Sequence, residues 1–204
     1  MQEFSTMVAD LRKDGQVIIN TITPIEIDML HMAVGAAGEF SELSEPIVEY
    51  SEGRSELDTV NVREELGDIE FFLEGLRQCA GIERDDTLSL VGNYHEGSLS
   101  VEPSKDILGF ACYRLSVEGG HLLDVVKRAA IYKKPFDKNK LTVVLSACEA
   151  ILAVIRNQLT ITRDATLQGN LNKLLKGDNA RYKSGVYSDE QAQNRKDKQQ
   201  EQAA

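Results

Sequence analysis

The chain has 204 residues, 42% of them hydrophobic, and 33 acidic against 23 basic side chains give it a net charge of −10. That length suits one medium domain or two small ones, with enough apolar content for a real core. The acidic balance argues against nucleic acid and anionic membrane as partners, since both need a basic footprint. It leaves room for an anionic small molecule where a metal bridges the like charges.

The three cysteines, Cys79, Cys112 and Cys148, are far apart and form no C-x-x-C. Neither a zinc site nor a disulfide framework is expected, and a reduced, cytoplasmic protein is the simplest reading. The first twenty residues carry no signal-peptide apolar stretch, and no run approaches membrane-spanning length.

Nearly every segment reads as helix. The first dozen residues suggest a short one on Phe4, Met7, Val8 and Leu11. Thr23-Pro24-Ile25-Glu26 is a capping box with proline at the first helical position, opening a long helix to about Glu52. Ile27, Leu30, Val34, Leu43, Ile47 and Tyr50 form its expected inner face. Asp58 caps a second helix, with Val62, Leu66, Ile69, Phe72, Leu73 and Leu76 inward, ending near Gly81. A Gly-, Asn-, Ser- and Pro-containing linker occupies 92–103. Ser104 caps a third helix expected to stop at Lys134, before Pro135, and Asp137 caps a fourth to about Gln158. A fifth is predicted from Arg163 to Lys176, ended by Gly177. After Ser188 the chain is polar and expected to fray.

The two helical pairs are related in sequence. At an offset of 79 positions, thirteen of the 65 ungapped pairs from Leu30 to Tyr94 are identical, where ordinary composition gives about a third of that. The clearest stretch, I-E-R-D-D-T-L from Ile82, returns as I-T-R-D-A-T-L from Ile161. Glu39 pairs with Glu118, Asp58 with Asp137, Glu70 with Glu149 and Arg77 with Arg156. The expected fold is therefore a single all-α domain over 1–204. Its four-helix-bundle core is built from two tandem, degenerate copies of a helical hairpin, 24–91 and 104–187, the second carrying the C-terminal helix before a polar tail at 188–204. Such a chain is a fused pseudo-dimer.

Glu39 and Glu42 lie three apart on the first long helix, and Glu65 and Asp68 three apart on the second. Each pair therefore shares one helix face, and antiparallel packing would gather all four carboxylates. Four such charges repel and raise one another's pKa values, and a hard divalent cation with oxygen ligands removes the conflict while leaving positions for phosphate oxygens. Acidic pairs at this spacing are also common on solvated faces, and Glu45, Glu49, Glu64 and Glu74 lie nearby with no special role required.

The stretch A-G-E-F-S-E-L-S-E from Ala37, followed by R-E-E-L-G-D-I-E-F-F-L from Arg63, resembles the MazG-like nucleotide pyrophosphohydrolases. These belong to the all-α NTP pyrophosphatase superfamily, which includes the dimeric dUTPases. The family pattern E-x-x-E, a spacer, then E-x-x-D falls on Glu39, Glu42, Glu65 and Asp68. Similar stretches are Y-K-K-P-F-D from Tyr132, N-L-N-K-L-L from Asn170, R-Y at Arg181 and Tyr182, and G-V-Y-S-D-E-Q-A from Gly185. The resemblance, over about 30–195, implies Mg²⁺-dependent cleavage of a nucleoside triphosphate between the α and β phosphates, with Mn²⁺ as a substitute. It assigns metal binding and catalysis to the four acids and contacts to sugar and phosphate to Asn170, Lys173, Arg181 and Tyr182. A further pairing of two chains, giving a dimer of pseudo-dimers, is also implied.

The second copy departs from that pattern. Glu42 maps to His121, Glu65 to Val144 and Asp68 to Ala147, so no second metal site is expected. Conversely, the mates of Asn170 and Lys173 are Val91 and Tyr94, and the basic cluster Lys127, Arg128, Lys133 and Lys134 falls on Val48, Glu49, Arg54 and Ser55. A composite site is expected, with acids from before the linker and substrate-clamping groups from after it. The lysines also fit an ordinary role near a helix C-terminus. Two rival readings are a non-catalytic nucleotide- or protein-binding helical bundle and a di-iron carboxylate protein, the latter suggested by Glu118-x-x-His121. A di-iron bundle needs two such motifs, and only one is present.

Overall fold

The computed structural model of the protein describes residues 2–84, 102–182 and 184–194. The end of the first repeat from 85 on, including Val91, most of the expected linker, including Tyr94, and the tail from 195 lie outside the described residues. Among the described residues every regular element is a helix. They are α1 (Gln2–Leu11), α2 (Gly15–Thr21), α3 (Pro24–Ser51), α4 (Thr59–Ala80), α5 (Lys105–Ala130), α6 (Lys138–Gln158), α7 (Arg163–Leu171), a π-helical turn (Asn172–Lys176) and α8 (Asp189–Asn194). None of these helices alone is long and apolar enough to cross a membrane.

The helix starts follow local chemistry. At the head of α3, Thr23 Oγ1 accepts from the Glu26 amide at 3.4 Å while Glu26 accepts from the Thr23 amide at 2.8 Å. Asp58, Ser104, Asp137 and Thr162 each accept from amides of the first turn they precede. Caps of this kind contribute about 1 kcal/mol each. Gly81 ends α4 at φ 61°, a left-handed conformation that favours glycine.

Three boundaries differ from expectation. The helix α2 was not anticipated, and its clearest signal is the Asp14 cap on the Gln16 and Val17 amides. α5 ends at Ala130 rather than Lys134: Pro135 disfavours helical geometry at Lys134, and the chain leaves earlier, through Lys133 at φ 54°. Beyond Ser188, where fraying was expected, the first residues form α8.

One buried apolar cluster draws on α3, α4, α5 and α6. α3 packs along α4 and α5, α5 packs on α6, and α7 packs on α4. α3 and α5 run antiparallel: Tyr50 Oη donates to the Pro103 carbonyl at 3.2 Å, Ser51 Oγ to that of Lys105 at 3.1 Å, and at the far end Lys133 pairs with Glu26. Phe40 lies midway against Gly119. The inner face of α3 is Met29, Ala33, Ala36, Phe40, Leu43, Ile47 and Tyr50. Ile27 and Val34, expected inside, are exposed. Glycines permit close helix approach: Phe72 of α4 lies over Gly35 of α3, and Met32 of α3 lies over Gly75 of α4.

The centre also holds charge. Glu70 accepts from Arg156 Nη1 at 3.0 Å, from Arg84 Nη1 at 3.1 Å, and from Arg163 Nε and Nη2 at 2.9 and 2.8 Å. Glu149 pairs with Arg77 and Arg84. Burial raises the Glu70 pKa, but the Arg163 hydrogen bonds and the surrounding arginine charges outweigh it and hold the carboxyl below its ordinary value. These six residues are three pairs at the offset of 79: Glu70 with Glu149, Arg77 with Arg156, Arg84 with Arg163. Arg77 of the first copy meets Glu149 of the second, and Arg156 of the second meets Glu70 of the first.

Candidate functional site

The antiparallel run of α3 and α4 brings Glu39, Glu42 and Glu65 together, with one carboxylate oxygen from each within 4.8 Å of the others. Glu42 is exposed, Glu39 half-buried and Glu65 only 5% exposed. Pro46 lies one turn beyond Glu42 within α3 and lacks the amide that would bond the Glu42 carbonyl.

Glu39 and Glu65 face each other closely enough that one carboxyl, when protonated, can donate to the other. Burial, the charge of Asp68, that hydrogen bond and the charge of Glu42 push the Glu39 carboxyl up to about 8. Glu65 is also raised, by burial first and then by repulsion from Asp68 and Glu42, although the hydrogen bond from Glu39 and the charge of Lys173 act the other way. Near neutral pH the pair therefore holds a proton between its carboxylates.

This proton has a consequence for stability. The folded chain keeps it up to about pH 8, whereas an ordinary glutamate releases it near 4.5. The folded state thus binds more protons between those values. The stabilisation from this group is complete below the ordinary value and is lost as pH rises through the folded one. The metal-free melting temperature is expected to fall between about pH 5 and pH 8, and Glu39→Gln to flatten that fall. Identical pH slopes for parent and variant in differential scanning calorimetry would contradict the shared proton.

Asp68, the fourth predicted acid, is engaged by the second half of the chain. Asn170 Nδ2 donates to its Oδ1 at 2.6 Å, and Lys173 Nζ donates to its Oδ2 at 2.5 Å. The same ammonium lies 2.8 Å from Glu64 Oε1. Burial would lower the Lys173 pKa, but the Asp68 and Glu64 partners outweigh it and raise it.

Gly67 permits this meeting. A Cβ there would lie 3.0 Å from both Asn170 Cβ and the Thr166 carbonyl oxygen, so the glycine of E-L-G-D lets α7 approach the backbone of α4. The expected fifth helix reaches Lys176 as predicted, but its last five residues, Asn172–Lys176, form a π-helical turn. Gly177 then turns away at φ −68°, not left-handed. Its requirement for glycine is steric, since a Cβ would lie 2.8 Å from the Asn172 carbonyl oxygen.

Beside Lys173 opens a cavity of about 350 Å³, walled by Val60, Arg63, Glu64, Asn170, Asn172 and Asn179 among others. The segment holding Arg181 and Tyr182 is tied to it: the Arg181 amide donates to the Lys173 carbonyl at 3.0 Å and the Tyr182 amide to that of Leu174 at 2.8 Å. The Tyr182 ring packs against Tyr187 at 5.7 Å. Sequence reasoning missed Glu64, Asn172 and Asn179. The nearest signal was the proximity of Glu64 to E-L-G-D and of the asparagines to Asn170 and Lys173.

The basic cluster of the second copy does not join the acids as a group. Lys127 and Arg128 pair with Asp124, and Lys133 pairs with Glu26.

At the second copy's equivalent of the acid cluster, Glu118 is paired with Arg114 at 2.8 Å and lies 3.1 Å from His121 Nδ1. Val144 is buried there. The E-x-x-H motif is thus an internal contact of one helix, and Arg114, which replaces Gly35 of the first copy, supplies positive charge where the first copy has only acids. All three cysteines are free, and burial pushes the Cys148 thiol up to about 12, far from a nucleophile's range.

No family model, no curated protein and no solved structure matches the chain.

Proposed function

We propose that the chain is a Mg²⁺-dependent nucleoside triphosphate pyrophosphohydrolase, of the kind its acidic motifs resemble, converting a ribo- or deoxyribonucleoside triphosphate to monophosphate and pyrophosphate. The observation that carries this reading is the convergence of Glu39, Glu42 and Glu65 within 4.8 Å, beside an Asp68 in contact with Asn170 and Lys173. The donor set is all carboxylate oxygen, which fits Mg²⁺ or Mn²⁺ and not a soft metal. The raised pKa values of Glu39 and Glu65 mark the repulsion that a cation relieves.

Glu39, Glu42, Glu65 and Asp68 would hold the ion. Bound there, a divalent cation supplies charge neutralisation for phosphate oxygens and an activated water. A carboxylate of the quartet takes the proton of the attacking water, and Glu42, the exposed member, is open to solvent to pass it on. The water oxygen bonds to the α phosphorus, the bond from that phosphorus to the bridging oxygen breaks, and pyrophosphate leaves. Asn170 and Lys173, which line the cavity, would donate to the phosphate oxygens as charge develops there. Arg181 and Tyr182 follow the last lining residue, Ala180, and are tied by their amides to the carbonyls of Lys173 and Leu174; the resemblance assigns them to sugar and phosphate.

We read the chain as a fused pseudo-dimer with one working site. In support, α4 and α6 start at Thr59 and Lys138, and α3 and α5 end at Ser51 and Ala130, both separations being 79 positions. The reciprocal Glu70–Arg156 and Glu149–Arg77 pairs follow the same relation. Two such chains pairing is part of the same reading.

The test is release of pyrophosphate from a panel of ribo- and deoxyribonucleoside triphosphates, with calorimetry of a non-hydrolysable analogue. Mg²⁺-dependent pyrophosphate release with about one site per chain is expected. Binding without turnover would assign a non-catalytic nucleotide-binding bundle, and two equivalent sites would end the one-site reading. Co-purifying iron with no pyrophosphate release would favour the di-iron alternative.

A further inference from the structure

Asp68 differs from the other three acids in what holds it. Glu39, Glu42 and Glu65 face one another, whereas both Asp68 oxygens accept hydrogen bonds from the far half of the chain, Oδ1 from Asn170 and Oδ2 from Lys173. The ammonium of Lys173 stands where it neutralises Asp68 and Glu64 together. A hydrogen-bonded ammonium and a divalent ion compete for the same carboxylate lone pairs.

We propose that Asp68 is a withheld metal ligand. In the nucleotide-free chain Lys173 and Asn170 keep it engaged, and the phosphates of an arriving nucleotide draw those two donors away and release it to the ion. The proposal rests on the metal-dependent reading above and adds an order to it: nucleotide completes the metal shell. The geometry supplies the parts. Lys173 retains Glu64 as a second partner when it leaves Asp68, and the cavity lined by Glu64, Asn170 and Lys173 gives a phosphate chain access to both donors. Neither donor belongs to the helices that carry the acids, because both come from α7 and the π-helical turn. Such an exchange makes metal and nucleotide affinities mutually dependent, each raising the other by the same factor. It also keeps a tightly bound ion from sitting idle in the absence of substrate.

The test is Mn²⁺ alone, titrated into the full chain at fixed pH and followed by the electron paramagnetic resonance of the free ion. Lys173→Ala is expected to bind Mn²⁺ about tenfold more tightly than the parent, and Asn170→Ala about threefold more tightly. Asn170 carries no charge, so tightening in that variant reports release of Asp68 and not loss of a positive field. Lys176→Ala is the control: that side chain is exposed and belongs to the same π-helical turn as Lys173. Adding a triphosphate analogue with a methylene between the α and β phosphorus atoms should tighten Mn²⁺ binding more in the parent than in Lys173→Ala.

Unchanged or weakened Mn²⁺ binding in Asn170→Ala overturns the proposal, because the donors would then be positioning Asp68 for the ion. Tightening in Lys173→Ala alone overturns it as well, in favour of a simple charge effect. If the parent and Glu65→Gln bind Mn²⁺ equally, the metal-dependent reading itself fails and takes this inference with it. Thermal melts of each variant confirm that the chain under test is folded.

Discussion

Glu65→Gln is expected to cut Mg²⁺-dependent pyrophosphate release by about two to three orders of magnitude while the chain stays folded. Loss of a metal ligand that stabilises developing charge removes several kcal/mol from the transition state, and about 1.4 kcal/mol is a factor of ten. The fold should not suffer. Glu65 is 5% exposed and sits against Glu39, with the charges of Glu42 and Asp68 nearby. Glutamine keeps the shape, removes one of these like charges, and can still hydrogen-bond Glu39. The metal-free variant should melt at or above the parent temperature. Near-parent turnover in saturating Mg²⁺ would remove Glu65, and with it the quartet, from the proposed site.

The opposite outcome is expected five residues further along the same helix. Glu70→Ala should destabilise the chain by about 3–5 kcal/mol, since it leaves buried arginines without their counter-charge. Glu70 accepts from Arg84, Arg156 and Arg163, and its own side chain is 1% exposed. Its repeat mate Glu149 holds Arg77 and Arg84, and Glu149→Ala should cost the same order. Urea unfolding with matched m-values measures both. A loss under about 1 kcal/mol at either position would show that the arginines find solvent or other partners, and that the network does not tie the two halves together. Burial of both glutamates and of Arg77 and Arg156 makes this larger than a surface ion pair, whose usual worth is about 0–1 kcal/mol.

These two glutamates show what the sequence could and could not reveal. Both are glutamates on α4 and both are almost fully buried. One faces acids from α3 and the other faces arginines from α6, α7 and the chain beyond α4. Its neighbours in sequence do not distinguish a glutamate that repels from one that is neutralised. Two of the three partners of Glu70 come from 86 and 93 residues away. The identity of Glu70 with Glu149, Arg77 with Arg156 and Arg84 with Arg163 was visible as a repeat, but not that all six meet in one network.

What the sequence determined by itself is local. Helix type and most helix starts follow from caps and apolar periodicity, which act within one turn: Thr23, Asp58, Ser104, Asp137 and Thr162 all cap as their side chains dictate. The pairing of Glu39 with Glu42, and of Glu65 with Asp68, on single helix faces is likewise set by the 3.6-residue turn. Tertiary structure decided what depends on approach between helices. It turned the alanines of α3 inward and Val34 outward, because small side chains on a buried face let the neighbouring helices approach closely. It placed Asn170 and Lys173 on Asp68, because Gly67 lets α7 come near. It also separated three acids that face one another from a fourth already hydrogen-bonded across the halves, a distinction set by distances between helices rather than by residue type.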